Sequence, residues 1–160
     1  MLTLRRRRHQ QRAFTLVEIL IVVIILGILA TVIIALFNNT SADAGKASLR
    51  DNLRSMRSQI QFYVAQHGTY PALATFESQM TLYSDAQGTT STSRTATAQL
   101  GPYVLQLPVL PVGTNRGLRT VTGPTYTAGY AWSYDETNGN FKANLPDGDV
   151  DTDGIKFNTY

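Results

Sequence analysis

Asp147, Asp149, Asp151 and Asp153 alternate along one short segment and form the densest group of chemistry-bearing side chains in this 160-residue chain. Alternate carboxylates in a loop can fold round a hard cation, because Ca²⁺ takes about six to eight oxygens at about 2.3–2.6 Å. Acids this close also repel one another, which favours a bound cation. Asp149, Asp151, Asp153 and Gly154 match the opening of an EF-hand loop, but the place of its bidentate glutamate falls on Tyr160. An EF-hand is therefore rejected. Two readings stay open: a looser calcium site held by Asp147, Asp149, Asp151 and Asp153, or a solvated acidic turn.

Glu18 is the second candidate. It is the single charge in the 24 residues from Phe14 to Phe37, FTLVEILIVVIILGILATVIIALF. A carboxylate inside a membrane span costs about 2.5–3.5 kcal/mol on insertion scales and is a functional candidate by default. The plainer reading puts Glu18 at headgroup level, within one turn of the border. The remaining inventory excludes more chemistry than it offers. There is no cysteine, so disulfides, thiolate metal sites and cysteine nucleophiles are ruled out. The two histidines are His9 and His67. His67 falls where a helix should end and a cation can meet the helix dipole, so no catalytic role is given to it. No catalytic residue is expected, and the chain is read as not an enzyme.

These residues need elements to position them. Arg5, Arg6, Arg7, Arg8 and Arg12 crowd the first 13 residues, which hold no acid. Without that segment nine basic side chains face 11 acidic ones, a formal charge of −2 against +3 for the whole. Nucleic-acid binding is not expected, because the positive charge sits on a segment expected to be removed. From Ile19 to Phe37 the chain runs 19 residues without a charge, enough to cross about 30 Å of hydrocarbon as a helix. β-Branched residues are frequent there, but in lipid only a helix satisfies every backbone group within one segment. The arginines before the span and Asp43 after it place the N-terminus in the cytoplasm. Gly27 has two readings, ordinary tolerance in a membrane helix or a site of close packing and local melting.

Beyond Asn38-Asn39-Thr40-Ser41, the residues Leu49, Leu53, Met56, Ile60 and Val64 recur at helical spacing, with Arg50, Arg54, Arg57 and Gln61 on other faces. Gly68 and Pro71 supply the stop. This predicts one helix over 14–67, about 80 Å long at 1.5 Å per residue. A short helix is expected over 75–83 with Phe76, Met80 and Tyr83 on one face, then a surface loop over 84–99. The segment 101–112, punctuated by Pro102, Pro108 and Pro111, should be extended without forming a central strand. An antiparallel hairpin is expected from 126–134 and 139–145, turning at Asn138-Gly139. On it Tyr130, Trp132 and Tyr134 alternate on one strand, and Phe141, Ala143 and Leu145 on the other. These aromatics read as core against the helix stripe, in preference to a binding platform.

The stretch from Arg12 to Val23, RAFTLVEILIVV, resembles the class III signal of type IV prepilins and type II secretion pseudopilins: basic leader, small residue, Phe, then an apolar run with Glu five residues in. The resemblance implies that prepilin peptidase cuts between Ala13 and Phe14 and that the new amine of Phe14 is methylated. Ala13 departs from the usual Gly of the family. The arginine run is then a topology signal, or a contact for the peptidase and anionic lipid as well. The segments FYVAQHGTYPA (62–72), GPYVLQLP (101–108) and YAWSYDETNGNFKANL (130–145) resemble the major, G-type pseudopilin of type II secretion. That resemblance implies a structural calcium in the C-terminal loop. It also implies that Glu18 pairs with the Phe14 amine of a neighbouring copy during assembly.

The expected architecture is α+β and pilin-like, a long N-terminal helix with a transmembrane first half and a small C-terminal antiparallel sheet. Its parts are a basic leader (1–13), an assembly helix (14–37), an amphipathic continuation (38–67) and a small globular domain (68–160) packed with the helix's outer half. By resemblance the chain sits in the bacterial inner membrane with its C-terminal domain in the periplasm. Its partners would be further copies, minor pseudopilins, prepilin peptidase and the inner-membrane assembly platform. The rivals are a type IV pilin for adhesion, twitching or DNA uptake, and a binding module anchored by the helix.

Overall fold

The computed structural model of the chain describes residues 14–160, with 34–39 described by backbone alone. The arginine run and Ala13 lie outside the described residues. Helix α1 is Leu16–His67, 52 residues. It ends where Gly68 donates its N–H to the Val64 carbonyl at 2.8 Å, and Pro71 beyond cannot continue a helix. The chain divides into two compact units, one ending at Asn38 and the other covering Asn39–Tyr160.

In the first unit the sequence is apolar on every face of the helix. Leu16–Ile33 has a mean hydropathy of 3.1, and none of it is buried. Its large apolar side chains keep between 48% and 83% of their surface exposed. That surface is unfavourable in water and favourable in hydrocarbon, and 18 residues of helix rise about 27 Å. The helix is long and apolar enough to cross a membrane.

In the second unit α1 buries a single stripe. Leu49, Leu53, Met56, Ile60 and Tyr63 are each at most 2% exposed. Tyr63, not the expected Val64, completes the stripe. Positions three and four after Ile60 both lie near that face, and the larger ring takes the core. Opposite the stripe stands a hairpin of β4 (Trp132–Asp135) and β5 (Asn140–Ala143), antiparallel, with Trp132 facing Ala143 and Tyr134 facing Phe141. Trp132, Tyr134, Phe141 and Ala143 are wholly buried. Their polar tips are satisfied: Trp132 Nε1 donates to the Pro108 carbonyl and the Tyr134 hydroxyl to that of Pro71, each at 2.9 Å. Burial, then the nearby Glu136 carboxylate, pushes the Tyr134 hydroxyl above the ordinary phenol range.

The hairpin is shorter than the alternation predicts, because asparagine side chains take over its outer bonds. Asn144 Nδ2 donates to the carbonyls of Thr127 and Tyr130 at 2.6 and 2.9 Å, and Asn144 Oδ1 accepts the Thr127 N–H at 3.1 Å. Asn115 Nδ2 reaches the Tyr130 and Asn144 carbonyls at 2.8 and 2.9 Å. The chain before β4 therefore stays a loop, and Tyr130 is 38% exposed there. A third strand, β3 (Val121–Thr122), joins the other side of β4 in parallel. Two residues carry too little pattern to announce it in sequence.

The expected helix over 75–83 is a 3₁₀ turn (Leu73–Thr75) running into α2 (Phe76–Thr81), with Phe76 and Met80 buried. Tyr83 has left the helix for β1 (Tyr83–Ser84), which pairs with β2 (Thr90–Ser91). The expected loop over 84–99 thus begins as a tight hairpin. Asp85 closes its turn by accepting the Gln87 and Thr89 N–H groups at 3.0 and 2.8 Å. Among the described residues, 101–112 holds no strand, and its Tyr103, Leu107, Leu110 and Val112 fill the core.

Gly139 is required twice over. Its φ is +73°, and a Cβ there would lie 2.2 Å from Tyr70 Cε1. Gly129 has φ +83° and open space round it. Gly129→Ala should therefore cost about 1 kcal/mol from backbone strain, and Gly139→Ala about 2–4 kcal/mol from strain and overlap together. Thermal unfolding of both variants in detergent checks this; equal losses would mean that Tyr70 swings aside freely.

Candidate functional site

Two places hold the residues singled out by sequence. At the N-terminal end Phe14 stands two residues before α1 and is 75% exposed. Thr15 caps the helix: its Oγ1 accepts the Glu18 N–H at 3.2 Å, and Glu18 Oε2 accepts the Thr15 N–H at 3.5 Å. This is a capping box, with Thr at the cap and Glu three residues on, and it satisfies two N–H groups that the first turn leaves free. The Thr-x-x-Glu spacing before an apolar run is the sequence signal for it. The second contact is long and the carboxylate is exposed, so the capping box holds Glu18 loosely.

At the C-terminal end the four aspartates do not converge. Asp147 pairs with Lys156 Nζ at 2.7 Å and accepts from Asn158 Nδ2 at 2.9 Å. These two contacts hold its carboxyl below the usual range. Asp149 Oδ2 accepts the N–H and hydroxyl of Thr114 at 2.7 and 3.0 Å. Asp151 is the buried one, its side chain 1% exposed. Its Oδ1 accepts the Asp153 and Ile155 N–H groups, both at 2.8 Å. Its Oδ2 meets Lys46 Nζ at 2.6 Å and accepts the Tyr160 hydroxyl. Asp153 Oδ2 is 2.5 Å from the same ammonium.

Lys46 is the residue that sequence reasoning passed over. It lies three positions before Leu49, one turn along the stripe that continues through Leu53, Met56 and Ile60, and its side chain is 13% exposed. A lysine at a core-facing position is rarely buried unless it is paired, and that misfit was the available signal. Burial pushes the Asp151 carboxyl up, but the Lys46 ammonium, the Tyr160 hydroxyl and the two N–H donors outweigh it and hold it far below the carboxylate range. Hydrogen bonds to Asp151 and Asp153 hold the Lys46 ammonium above its ordinary value. Along the same helix Arg50 stacks over the Tyr160 ring at 4.9 Å, and Arg57 donates to the Phe141 and Tyr160 carbonyls at 2.9 and 2.6 Å.

The calcium set expected from the sequence is therefore not assembled. Among the described residues no three His, Cys, Asp or Glu side chains are grouped to hold a metal. Calcium seeks about six to eight oxygens round one point; here Asp151 and Asp153 share a point that Lys46 Nζ occupies, while Asp147 and Asp149 face other donors. His67, which was given no chemistry, has its ring nitrogens 3.1 Å from the Tyr63 carbonyl and from Ser84 Oγ, stacked on Tyr63.

Residues 8–34 match the prokaryotic N-terminal methylation motif. The architecture, an apolar helix leading into a small α+β unit, is pilin-like, and the N-terminus matches a prepilin-type motif. The chain is 31% identical over 65 residues to type II secretion system core protein G of Klebsiella michiganensis, covering 41% of this chain and 46% of that protein. It is 32% identical over 63 residues to the core protein G of Dickeya chrysanthemi, covering 39% and 41%. The match spans less than half the length of these curated relatives. No solved structure matches. Over the matched residues the chain is similar to core protein G of type II secretion systems.

The geometry ranks the four aspartates. Asp151→Asn should lower the unfolding midpoint by several degrees, since it neutralises the buried partner of Lys46. Asp147→Asn should change it by about 1 °C at most, as expected for a pair on the surface. Equal effects of both, in a scan of the full chain in detergent, would contradict this ranking.

Proposed function

We propose that the chain is a structural subunit of a type II secretion pseudopilus. It would be inserted in the inner membrane, cut between Ala13 and Phe14, methylated at Phe14 and polymerised to drive protein export across the outer membrane. In this reading 1–13 is the leader, 14–37 the membrane and assembly helix, 38–67 its amphipathic continuation and 68–160 the periplasmic domain. The role is mechanical and not enzymatic. The partners are further copies, minor pseudopilins, prepilin peptidase and the assembly platform.

One observation carries the reading: the apolar stretch Leu16–Ile33, unburied throughout, coincides with the methylation motif at 8–34. A simple anchor needs the first feature and not the second. The similarity to core protein G favours a pseudopilus over a type IV pilus.

Glu18 supplies the switch. In the processed chain a free amine at Phe14 would lie at the depth of the Glu18 carboxylate of a neighbouring copy, and pairing would offset the cost of holding that charge in hydrocarbon. In the precursor this amine does not exist. Ala keeps the residue before the cut small, so cutting survives the departure from Gly.

N-terminal peptide mass spectrometry on native membranes tests the processing. A chain starting at methylated Phe14 is expected; one retaining Arg5 to Ala13 would reduce the reading to an anchored module. Glu18→Ala should leave cleavage intact and lower the filament yield in sheared fractions by roughly tenfold or more, the equivalent of about 1.4 kcal/mol at each contact. Normal filaments from that variant would remove Glu18 from assembly.

A further inference from the structure

We propose that the Lys46 ammonium serves as the built-in structural cation of the C-terminal loop, tying residues 147–160 to α1, so that the folded loop neither requires nor takes up calcium. The inference is independent of the pseudopilus reading, since it concerns how one loop of this chain is closed.

Three observations converge on it. First, Lys46 Nζ stands at the point where two carboxylates meet, 2.6 Å from Asp151 Oδ2 and 2.5 Å from Asp153 Oδ2. A second positive ion could reach these oxygens only by expelling the first. Second, four of the six other carboxylate oxygens a divalent ion would recruit are committed elsewhere. Both lone-pair directions used by Asp151 Oδ1 go to backbone N–H groups, Asp149 Oδ2 is held by Thr114, and the two oxygens of Asp147 are divided between Lys156 and Asn158. Gathering them round one ion would break at least the Thr114 and Lys156 contacts, and with them the seat of the loop on the 113–114 turn. Third, the lysine comes from the helix and not from the loop. Lys46 continues the buried stripe by one turn, and Arg50 and Arg57 follow at four and eleven positions, both on Tyr160. A bound ion would close the loop on itself. A side chain from α1 closes the loop on the helix.

The alternating aspartates are then explained without a metal. Asp151 is the single buried carboxylate of the four, and it organises the turn by accepting from the N–H groups of Asp153 and Ile155. Asp153 adds a second bond to the same ammonium.

Hydrogen–deuterium exchange on the full chain in detergent tests this, in calcium chelator and then with millimolar calcium added. In the wild-type chain the peptide 147–160 should exchange at the same rate in both. Lys46→Met, which keeps the length of the stem and removes the charge, should speed exchange of that peptide by roughly tenfold or more, while 132–143 stays protected. Lys46→Arg should restore most of the protection. Calcium-dependent slowing of 147–160 in the wild-type chain would overturn the proposal, and so would unchanged exchange in Lys46→Met. If Lys46→Met unfolds the whole unit, 132–143 will lose protection as well, and the wild-type comparison with and without calcium decides alone.

Discussion

Burial of one stripe of α1 against the β4–β5 hairpin is the interaction on which the globular unit depends. A buried aromatic removes about 150–250 Å² from water, and at about 25 cal/mol per Å² that is roughly 4–6 kcal/mol before entropy is counted. Trp132, Tyr134, Phe141, Phe76 and Tyr63 all sit on this seam. No surface ion pair among the described residues approaches that scale, since such pairs contribute about 0–1 kcal/mol. The loops are secured by what the seam presents to them. Trp132 and Tyr134 hand a hydrogen bond each to Pro108 and Pro71, and Arg57 reaches past the core edge to Phe141 and Tyr160.

Short strands impose a second demand. With β1, β2 and β3 only two residues long, most backbone groups in this unit cannot find a partner in a ladder, yet buried ones must be satisfied. Side chains do that work. Asn115 and Asn144 hold the 127–130 segment, while Asp85, Asp135, Asp149 and Asp151 each accept from backbone N–H groups at a turn. Four of the ten acids in this unit are thus turn-formers. Asp85 and Asp135 show the effect plainly: accepted hydrogen bonds, from the Thr89 backbone and from the Thr137 hydroxyl respectively, draw each carboxyl below its ordinary value.

Period and punctuation made much of the fold legible. The stripe from Leu49 to Ile60, the stop at Gly68 and the Asn138-Gly139 turn follow from spacing alone, whereas the register that sets Trp132 opposite Ala143 depends on a turn covering 136–139. Features depending on tertiary partners did not. Tyr63 in place of Val64 is decided by which ring fills the core, and β3 by where a loop happens to pass β4. The aspartate run was legible as an acidic turn, but its ligand count was not, because the cation facing it comes from a residue 105 positions earlier in the chain. The capping role of Glu18 was written in a local motif and was hidden by its charge.

Glu18 and Lys46 belong to one argument. Each is a charge set into an apolar pattern of the same helix, and sites that break a local rule are where function or a specific contact is expected. For Lys46 the chain itself supplies the answer: two carboxylates within 2.6 Å and a buried seat. For Glu18 the described residues supply only the capping contact at 3.5 Å, on a helix segment whose apolar surface is wholly uncovered. The two halves of α1 therefore stand at different stages of completion. The outer half has its stripe buried and its buried charge paired within one chain. The apolar half has neither, and hydrocarbon can cover its surface but cannot pair its carboxylate. In the proposed assembly, a cationic group presented at that depth by another copy would satisfy both needs together, which an anchor alone would not do.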